Sequence, residues 1–352
     1  MDVQAIDRYL QARAAADAFS GVVRIEQSGN VLLERGYGVA SRTWNVACRP
    51  EHRFDTASVT KVFTALAVLQ QVEAGAFALD TPVTGYLELE GTAISPEVTP
   101  YHLLTHTSGI GDDADEEDGV DYETVFAERP NYSITETADF LPQCAYNEPR
   151  FTPGEATRYC NCSYVLLGLM VERASGAPYR DYVVRHVFAP AGMTRAGFLR
   201  MDRIEQDVAE GADPLTDGCG AVVGWRRGIY SYPPVGSPDS GAYVTARDLT
   251  MFHDALRGGR LLGEELTAAM LRPKEDYREL PTGTHRTGYG FEFEVDPQGE
   301  ITTYWKEGVN VGVSALLSHW PRCDVTFAVL SNRQDGAWEP MGTIETALRT
   351  ES

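Results

Sequence analysis

The segment from Ser58 to about Ala74 constrains the fold most, because it has the length of a helix and is apolar on nearly every side. Its apolar residues include Val62, Phe63, Leu66, Val68, Leu69 and Val72. Gly75 follows at the position where a glycine commonly ends a helix. A helix that is apolar all round is buried, so this segment predicts a helix through the core of the protein. The polar first turn of the helix carries Ser58 and Lys61.

Alternating patterns near both ends of the chain predict strands, and the middle predicts helices and loops. Residues 21–47 alternate apolar and polar side chains around a Ser28-Gly29-Asn30 turn, which indicates a β-hairpin. Further strands are predicted at 289–295, 302–305, 309–319 and 325–330. Helices are predicted at 1–13, 163–174, 248–256 and 341–348. The stretch 218–238 is rich in Gly and Pro and predicts an ordered loop.

This order of elements predicts one α/β or α+β body. Its sheet is expected to be mostly antiparallel, because short turns join the C-terminal strands. Helices flank the sheet, which is built from both termini, and a large helical insertion separates its two parts. We therefore expect a sheet domain formed by residues 1–81 and 235–352, a helical domain formed by residues 82–234, and an active site at their interface.

Composition excludes some classes of partner. The net charge of −21 argues against nucleic-acid binding, which requires clustered basic side chains. No apolar run reaches the roughly 18 residues that span a bilayer, so we expect no membrane span. Residues 1–13 lack the basic, apolar and small-residue regions of a secretory signal. The sequence as given therefore predicts a cytoplasmic protein, unless a leader was removed, and leaves the oligomeric state open.

The cysteines and histidines do not predict a metal site. Six cysteines in 352 residues do not form a disulfide scaffold, and Cys160 and Cys162 have no second thiol pair nearby to complete a zinc site. We expect small, mostly buried thiols. His102 and His106 have the four-residue spacing of a zinc helix, but Leu103 stands where the glutamate would follow. His106 is instead expected to form a local hydrogen bond within its turn.

Ser58 and Lys61 carry the first chemical signal. Residues three apart share a helix face, so hydroxyl and amine lie side by side, near the free N–H groups of the helix start. A neutral lysine amine can accept the hydroxyl proton, whereas arginine cannot give up its own proton. The chain has three lysines, Lys61, Lys274 and Lys306, among its 30 basic residues. Taken alone, Ser-x-x-Lys is equally well explained as a polar helix start, because serine is common.

A second motif, Tyr159-Cys160-Asn161, occurs with several longer segments of matching character. These are residues 79–83 (LDTPV), 103–110 (LLTHTSGI) and 187–193 (VFAPAGM). In this order and spacing the motifs resemble the class C β-lactamase and DD-peptidase-like group of serine hydrolases, which includes esterase-like members. The resemblance extends from about residue 20 to residue 335. It implies a β-lactamase/transpeptidase-like fold, a small-molecule substrate, and no metal or organic cofactor.

The resemblance also implies roles for the first two motifs. Ser58 is the acylated nucleophile and Lys61 its proton partner. Tyr159 is the general base or proton relay, with its phenol made more acidic by two flanking ammonium groups. Asn161 binds the acyl side-chain amide of the substrate.

The third motif of the group corresponds to Lys306-Glu307-Gly308, expected on a strand beside Ser58. The resemblance implies that the N–H groups of Ser58 and Val309 form the oxyanion hole. Lactamases and carboxypeptidases have a hydroxyl at the position of Glu307 to hold the substrate's carboxylate. A glutamate there would repel that carboxylate or pair with Lys306, which predicts an ester, an amide or an amine-bearing peptide as substrate. The alternative is that strand alternation turns Glu307 away from the cleft, towards solvent.

Two further features are assigned no catalytic role. Residues 112–118 form an acidic run too poor in apolar side chains to pack, so we expect a solvated loop. The alternative is that this run selects cationic substrates at the entrance of the cleft. Trp225, Tyr230 and Tyr232 are expected to pack within their loop rather than to line the cleft.

The sequence therefore predicts a serine hydrolase that acts through an acyl-enzyme on Ser58. The expected substrate is a small ester, an amide or a D-amino-acid peptide. β-Lactamase or D-Ala-D-Ala carboxypeptidase activity is the first alternative. The second alternative, from a different class, is a penicillin-type sensor or binding protein with little turnover.

Overall fold

The computed structural model describes residues 1–114, 116–120 and 122–350. The α-helices are α1 (Val3–Ala15), α2 (Thr60–Glu73), α3 (Val83–Leu87), α4 (Pro100–Leu104), α5 (Tyr122–Val125), α6 (Leu141–Cys144), α7 (Asn161–Ser175), α8 (Tyr179–Val183), α9 (Ala189–Ala191), α10 (Ala246–Arg257), α11 (Glu264–Met270) and α12 (Trp338–Arg349). The strands are β1 (Gly21–Gln27), β2 (Asn30–Tyr37), β3 (Val39–Ser41), β4 (Val46–Ala47), β5 (Phe54–Asp55), β6 (Asp213–Thr216), β7 (Val222–Arg226), β8 (Tyr243–Val244), β9 (Glu275–Leu280), β10 (Gly283–Thr287), β11 (Glu292–Val295), β12 (Ile301–Asn310), β13 (Val313–Trp320) and β14 (Val325–Ser331). None of the helices in the described residues combines the length and hydropathy that crossing a membrane requires.

Eight strands form one sheet in the order β2-β1-β14-β13-β12-β11-β10-β9. All of its neighbouring strands are antiparallel. Strand β1 from the N-terminal hairpin pairs with β14 along its whole length, from Gly21 opposite Ser331 to Gln27 opposite Val325. The prediction of a mostly antiparallel sheet built from both termini is therefore confirmed. The division into a sheet domain and a helical domain stays a prediction.

Helices pack on both faces of this sheet, because successive side chains of a strand point to opposite faces. Along β14, Phe327 and Val329 pack in a cluster with α1 and α12. Ala328 and Leu330 pack on the other face in a larger cluster with α2, α7 and α10. Burying one leucine- or phenylalanine-sized side chain contributes about 2–3 kcal/mol. The larger cluster contains residues of α2 and of β12, β13 and β14, and so packs α2 against the C-terminal strands, where the third motif lies.

Helix α2 runs through the larger cluster, as its apolar pattern predicts. Every residue from Thr60 to Leu69 is buried. The rings of Phe188 and Phe252 pack edge-on against Phe63, with centroids 5.0 and 4.9 Å away. The α-helix begins two residues later than predicted, because residues 57–59 form a 3-10 turn. Ser58 is the middle residue of this turn, directly before the start of α2.

Several predicted boundaries are wrong. Residues 309–319 do not form one strand, because β12 ends at Asn310 and β13 begins at Val313. Gly312 between them has a φ of +72°, which favours glycine, but its β-branched neighbours conceal the turn in the sequence pattern. Strand β7 lies inside the stretch 218–238 that was expected to be a loop. The pattern does not predict β9 and β10, in which polar residues dominate.

Two of the six cysteines form a disulfide, Cys144–Cys162. The expectation of free thiols is wrong for this pair and correct for Cys160, which is buried and free. The disulfide joins the end of α6 to the first turn of α7. Its two half-cystines are 18 residues apart, and sequence spacing alone does not reveal which cysteines pair.

Candidate active site

Ser58 lies on a strained turn that presents its hydroxyl at the start of α2. The preceding residue, Ala57, has a φ of +42°, a conformation that side-chain-bearing residues rarely adopt. The Ala57 N–H donates a 2.7 Å hydrogen bond to the Asp55 carboxylate. Burial raises the pKa of that carboxyl to about 6. Asp55 lies on β5, and β5 pairs with β8. This backbone pairing holds the residues that lead into the Ser58 turn.

The amine of Lys61 is fully buried beside Ser58. Its Nζ lies 3.0 Å from Ser58 Oγ, on the same face of the helix start. The same nitrogen lies 2.7 Å from Asn161 Oδ1 and 2.9 Å from the carbonyl oxygen of Asp239. Three oxygens from three separate segments therefore fix the position of this amine.

Tyr159 reaches Ser58 from the opposite direction. Its hydroxyl donates a 2.8 Å hydrogen bond to Ser58 Oγ. The ring of Tyr159 lies between two amines, with Lys61 Nζ 4.9 Å and Lys306 Nζ 4.8 Å from its centroid. The structure thus brings the tyrosine and both lysines, which the motifs single out, to one serine.

His106 supports the Tyr159 ring. The two rings are 4.6 Å apart with an interplanar angle of 30°. The backbone N–H of His106 donates to the carbonyl oxygen of Leu103 within its turn, as expected, but its side chain bonds outside the turn, because Nδ1 accepts a 3.1 Å hydrogen bond from the Cys160 N–H. Burial, together with the charges of Lys306 and Lys61, lowers the pKa of His106 well below its usual range. The imidazole is therefore neutral near pH 7 and packs against the phenol without adding a third positive charge.

Asn161 is held in the first turn of α7 by an acidic side chain. The N–H groups of Asn161 and Cys162 each donate a 2.9 Å hydrogen bond to the carboxylate of Asp112. This carboxylate satisfies two of the free donors at the helix start and complements its positive dipole end. The side-chain oxygen of Asn161 is thereby directed at Lys61.

The acidic run 112–118 is consequently not the wholly solvated loop that we expected. Asp112 contacts the start of α7, as described above. Asp113 is half-buried, and burial together with neighbouring aspartates raises the pKa of its carboxyl well above the usual range. Glu117 lines the cleft in front of Ser58. Asp115 and the side chain of Glu116 lie outside the described residues.

Strand β12 brings the third motif against the Ser58 turn. A Cβ atom on Gly308 would lie 2.2 Å from the carbonyl oxygen of Thr56 and 2.6 Å from the nitrogen of Ser58. Only glycine therefore permits this approach. Val309, the next residue, lines the same cleft, so the backbones of the strand and of the Ser58 turn meet at one point.

Lys306 forms an ion pair with Glu292 on the neighbouring strand β11, with Nζ 2.7 Å from Oε1. The other carboxylate oxygen lies 2.8 Å from Nε2 of His285. Burial favours the neutral carboxyl, but the charge of Lys306 and then His285 outweigh it and hold the pKa of Glu292 well below its usual range. Glu292 is therefore a carboxylate near pH 7, and the positive charge of Lys306 is compensated.

Ser58 opens into a cleft of about 200 Å³. The residues that line it are Ser58, His106, Glu117, Tyr159, Tyr277, Arg278, His285, Thr287, Glu292, Lys306, Glu307, Gly308 and Val309. Glu307 is exposed to solvent and also lines this cleft. The two positions that the sequence offered for Glu307, in the cleft or towards solvent, therefore do not exclude each other. A second cavity of about 50 Å³ borders Asn161, and Tyr232, expected only to pack, contributes to its wall.

Sequence reasoning misses His285 and Glu292, and it places Glu117 at the cleft only through the alternative given for the acidic run 112–118. Glu292 stands between the buried residues Phe291 and Phe293 at the start of β11, and this alternation is a signal for a glutamate on one face of a sheet. Pairing it with Lys306 requires the register between two strands, which the pattern does not supply.

Among the described residues, one group of potential metal ligands converges, namely Asp112, Asp113 and Cys162. The sulfur of Cys162 is part of the disulfide, and the Asp112 carboxylate caps α7, so this group does not fit a metal site. The Nδ1 atoms of His102 and His106 each take part in a hydrogen bond with a protein group.

The family model described as Beta-lactamase matches residues 6–349. The chain belongs to the beta-lactamase family. This membership agrees with the resemblance that the motifs carry, because the match includes all three of them.

Named proteins similar to this beta-lactamase family member include penicillin-binding proteins and an esterase. The putative penicillin-binding protein PbpX of Bacillus subtilis strain 168 is 29% identical over 322 residues, which cover 91% of this chain and 72% of that protein. Esterase EstB of Burkholderia gladioli is 31% identical over 308 residues, which cover 82% of this chain and 76% of that protein. The crystal structure of a penicillin-binding protein from Bacillus halodurans superposes with a TM-score of 0.88 and 33% identity, covering 96% of this chain and 99% of that one.

Proposed function

We propose that this protein is a serine hydrolase that forms an acyl-enzyme on Ser58, with a small ester, an amide or a D-amino-acid peptide as substrate. One observation carries the proposal. Ser58 Oγ is within hydrogen-bond distance of both Lys61 Nζ, at 3.0 Å, and the Tyr159 hydroxyl, at 2.8 Å. A serine becomes a nucleophile when such a partner removes its proton. The cleft of about 200 Å³ supports a small substrate.

In the first half of the reaction, Ser58 Oγ attacks the carbonyl carbon of the substrate. Its proton passes to Lys61 or Tyr159, whichever is deprotonated. The N–H groups of Ser58 and Val309 stabilise the oxyanion that develops on the carbonyl oxygen. The bond to the leaving group then breaks, the leaving group takes the proton, and the acyl group remains as an ester of Ser58.

In the second half, a water molecule attacks the carbonyl carbon of this ester. The water gives its proton to the same base, and the base returns a proton to Ser58 Oγ as the bond between that oxygen and the acyl carbon breaks. The acyl group leaves as a carboxylic acid. One water is consumed for each ester or amide bond cleaved.

Asn161 and Lys306 are assigned supporting roles. Asn161 binds the amide of the acyl group and, through its 2.7 Å contact, positions Lys61. The amine of Lys306 lies 4.8 Å from the centroid of the Tyr159 ring and contributes to the positive field there. Its ion pair with Glu292 reduces this contribution.

Labelling with a fluorophosphonate probe tests this proposal. Mass spectrometry is expected to find the label on Ser58 of the native protein and of Ser133→Ala, which changes an exposed serine, but not of Ser58→Ala. A panel of p-nitrophenyl esters, D- and L-amino-acid amides and β-lactams then assigns the substrate. Faster turnover of β-lactams or of D-Ala-D-Ala peptides than of the other compounds assigns one of those activities instead. An acyl group that stays on Ser58 for hours identifies a sensor, and no label on Ser58 rules out the proposal.

A further inference from the structure

Lys306 and Glu292 form an enclosed ion pair in the wall of the cleft. The two side chains are 3% and 15% exposed, and Nζ lies 2.7 Å from Oε1. The second oxygen of the carboxylate lies 2.8 Å from Nε2 of His285, which is itself 2% exposed. Charges this far from water are weakly screened by solvent and salt, so whether Lys306 is compensated affects everything bound nearby.

The pair bears on the substrate because Lys306 is two residues from Gly308, which contacts the Ser58 backbone. An uncompensated ammonium at this place would attract a carboxylate attached near the scissile bond. The carboxylate of Glu292 already forms an ion pair with that ammonium. A substrate carboxylate would have to displace Glu292 or lie beside it, and Glu307, exposed in the same cleft, adds a second negative charge.

We propose that Glu292 determines the charge preference of the site. By holding Lys306, it disfavours acyl donors with a carboxylate next to the scissile bond and favours neutral or amine-bearing ones. Esters and amides fall in the favoured class, and β-lactam acids and peptides with a free C-terminal carboxylate fall in the disfavoured class. The inference rests on the proposed function, because it names the substrate class of the Ser58 site.

Arg278 is a competing cation for a substrate carboxylate. It lines the cleft, and its guanidinium carbon lies 5.7 Å from the centroid of the Tyr277 ring. Arg278 is exposed, so water and salt screen its charge more strongly than that of the enclosed pair. A test of Glu292 must therefore include the variant Arg278→Gln.

The experiment measures the rate at which Ser58 is acylated by a cephalosporin and by the methyl ester of the same cephalosporin. The two compounds differ in the charge of the carboxylate beside the lactam, and mass spectrometry of the Ser58 peptide measures both rates. The variants are Glu292→Gln and, as a matched control, Glu294→Gln. Glu294 is two residues along the same strand and pairs with Arg349 of α12, at 2.6 Å.

The native protein and Glu294→Gln are expected to react at least about tenfold faster with the methyl ester than with the acid. Glu292→Gln is expected to lower this preference about tenfold, through faster reaction with the acid. An unchanged preference in Glu292→Gln overturns the inference. A native protein that reacts faster with the acid than with the methyl ester also overturns the inference, and this result does not depend on the folding of any variant. If Arg278→Gln then loses that preference for the acid, Arg278 and not Glu292 determines the charge preference.

The failure of this inference is distinguishable from that of the proposed function. If neither cephalosporin acylates Ser58 while the fluorophosphonate still does, the inference about Glu292 is overturned and the hydrolase proposal stands. If the fluorophosphonate does not label Ser58 either, both are overturned.

Discussion

The backbone of Gly308 touches the backbone of Ser58 so closely that a single methyl group does not fit between them. A Cβ atom at position 308 would lie 2.6 Å from the nitrogen of Ser58 and 2.2 Å from the carbonyl oxygen of Thr56. Both obstacles are backbone atoms, which cannot rotate away as a side chain would. This contact sets the distance between β12 and the Ser58 turn, and hence between the two N–H groups that the proposal assigns to the oxyanion hole.

Gly308→Ala should therefore abolish most of the activity. The added methyl group pushes β12 away from the turn and separates the N–H groups of Ser58 and Val309. Losing one donor of an oxyanion hole typically lowers kcat by about 100- to 1,000-fold. Steady-state kinetics on the best ester of the panel measures this effect, and thermal unfolding should show a loss of stability of about 1–3 kcal/mol from overpacking.

The control for this change is Gly342→Ala, at a half-buried position of α12. An added Cβ there meets open space within 4 Å, and no positive φ is involved. Its kinetic constants should equal those of the native protein. Retention of full activity by Gly308→Ala would contradict the assigned oxyanion hole.

Lys61→Arg should inactivate the protein although it keeps the positive charge. A guanidinium does not lose its proton in a protein, so it cannot accept one from Ser58, and its larger planar head does not fit the site where the amine of Lys61 is fully buried. General base catalysis contributes about 100- to 10,000-fold, and kcat should fall by that factor. The matched control is Lys274→Arg, which should keep its activity. In the native protein the amine of Lys274 lies 4.7 Å from the centroid of the Tyr289 ring. Equal activity of the two variants would show that Lys61 acts only through its charge.

Stability should fall with pH below about 6.5 partly because of His319. Burial, aided by Arg257, lowers the pKa of His319 from 6.5 to about 3. Between these values the unfolded chain binds a proton that the folded protein does not. The contribution of His319 to stability is therefore complete above pH 6.5 and is lost as pH falls, by about 1.4 kcal/mol for each pH unit down to about pH 3.

Urea unfolding at pH 7, 6, 5 and 4 measures this dependence. The variant His319→Gln should show a shallower loss of the free energy of unfolding than the native protein, after the values are aligned at pH 7. His186→Gln, which changes an exposed histidine, serves as control and should follow the native curve. Parallel curves for His319→Gln and the native protein would exclude this titration as a cause.

The disulfide Cys144–Cys162 should stabilise the folded protein by about 3 kcal/mol, since it closes a loop of 18 residues in the unfolded chain. Cys144→Ala and mild reduction should both lower the midpoint of urea unfolding, and Cys219→Ser, which changes an exposed free thiol, should not. Thiol titration of the denatured protein without reductant should find four free thiols. A count of six would contradict the disulfide.

Much of the site could be predicted from the sequence because its chemistry is local. Ser58 and Lys61 are three residues apart at the start of a helix whose apolar pattern places it in the core. Tyr159 and Asn161 belong to one short motif, and Gly308 to another. Alternation on both ends of the chain similarly predicts an antiparallel sheet, because a period of two residues follows directly from strand geometry. Local geometry and side-chain chemistry determine these features.

Only the tertiary structure decided which distant residues meet. In the pairing of β11 with β12, Glu292 stands opposite Trp305, one residue from Lys306, so the ion pair between Glu292 and Lys306 depends on the register of these two strands. Asp112 caps helix α7, which begins 49 residues later. Cys144 forms its disulfide with Cys162, one of the five other cysteines of the chain. Such pairings depend on the packing of whole elements, to which no local pattern responds. The sequence by itself determined the proposed nucleophile and the elements that carry it, whereas the folded chain determined the charges that surround it.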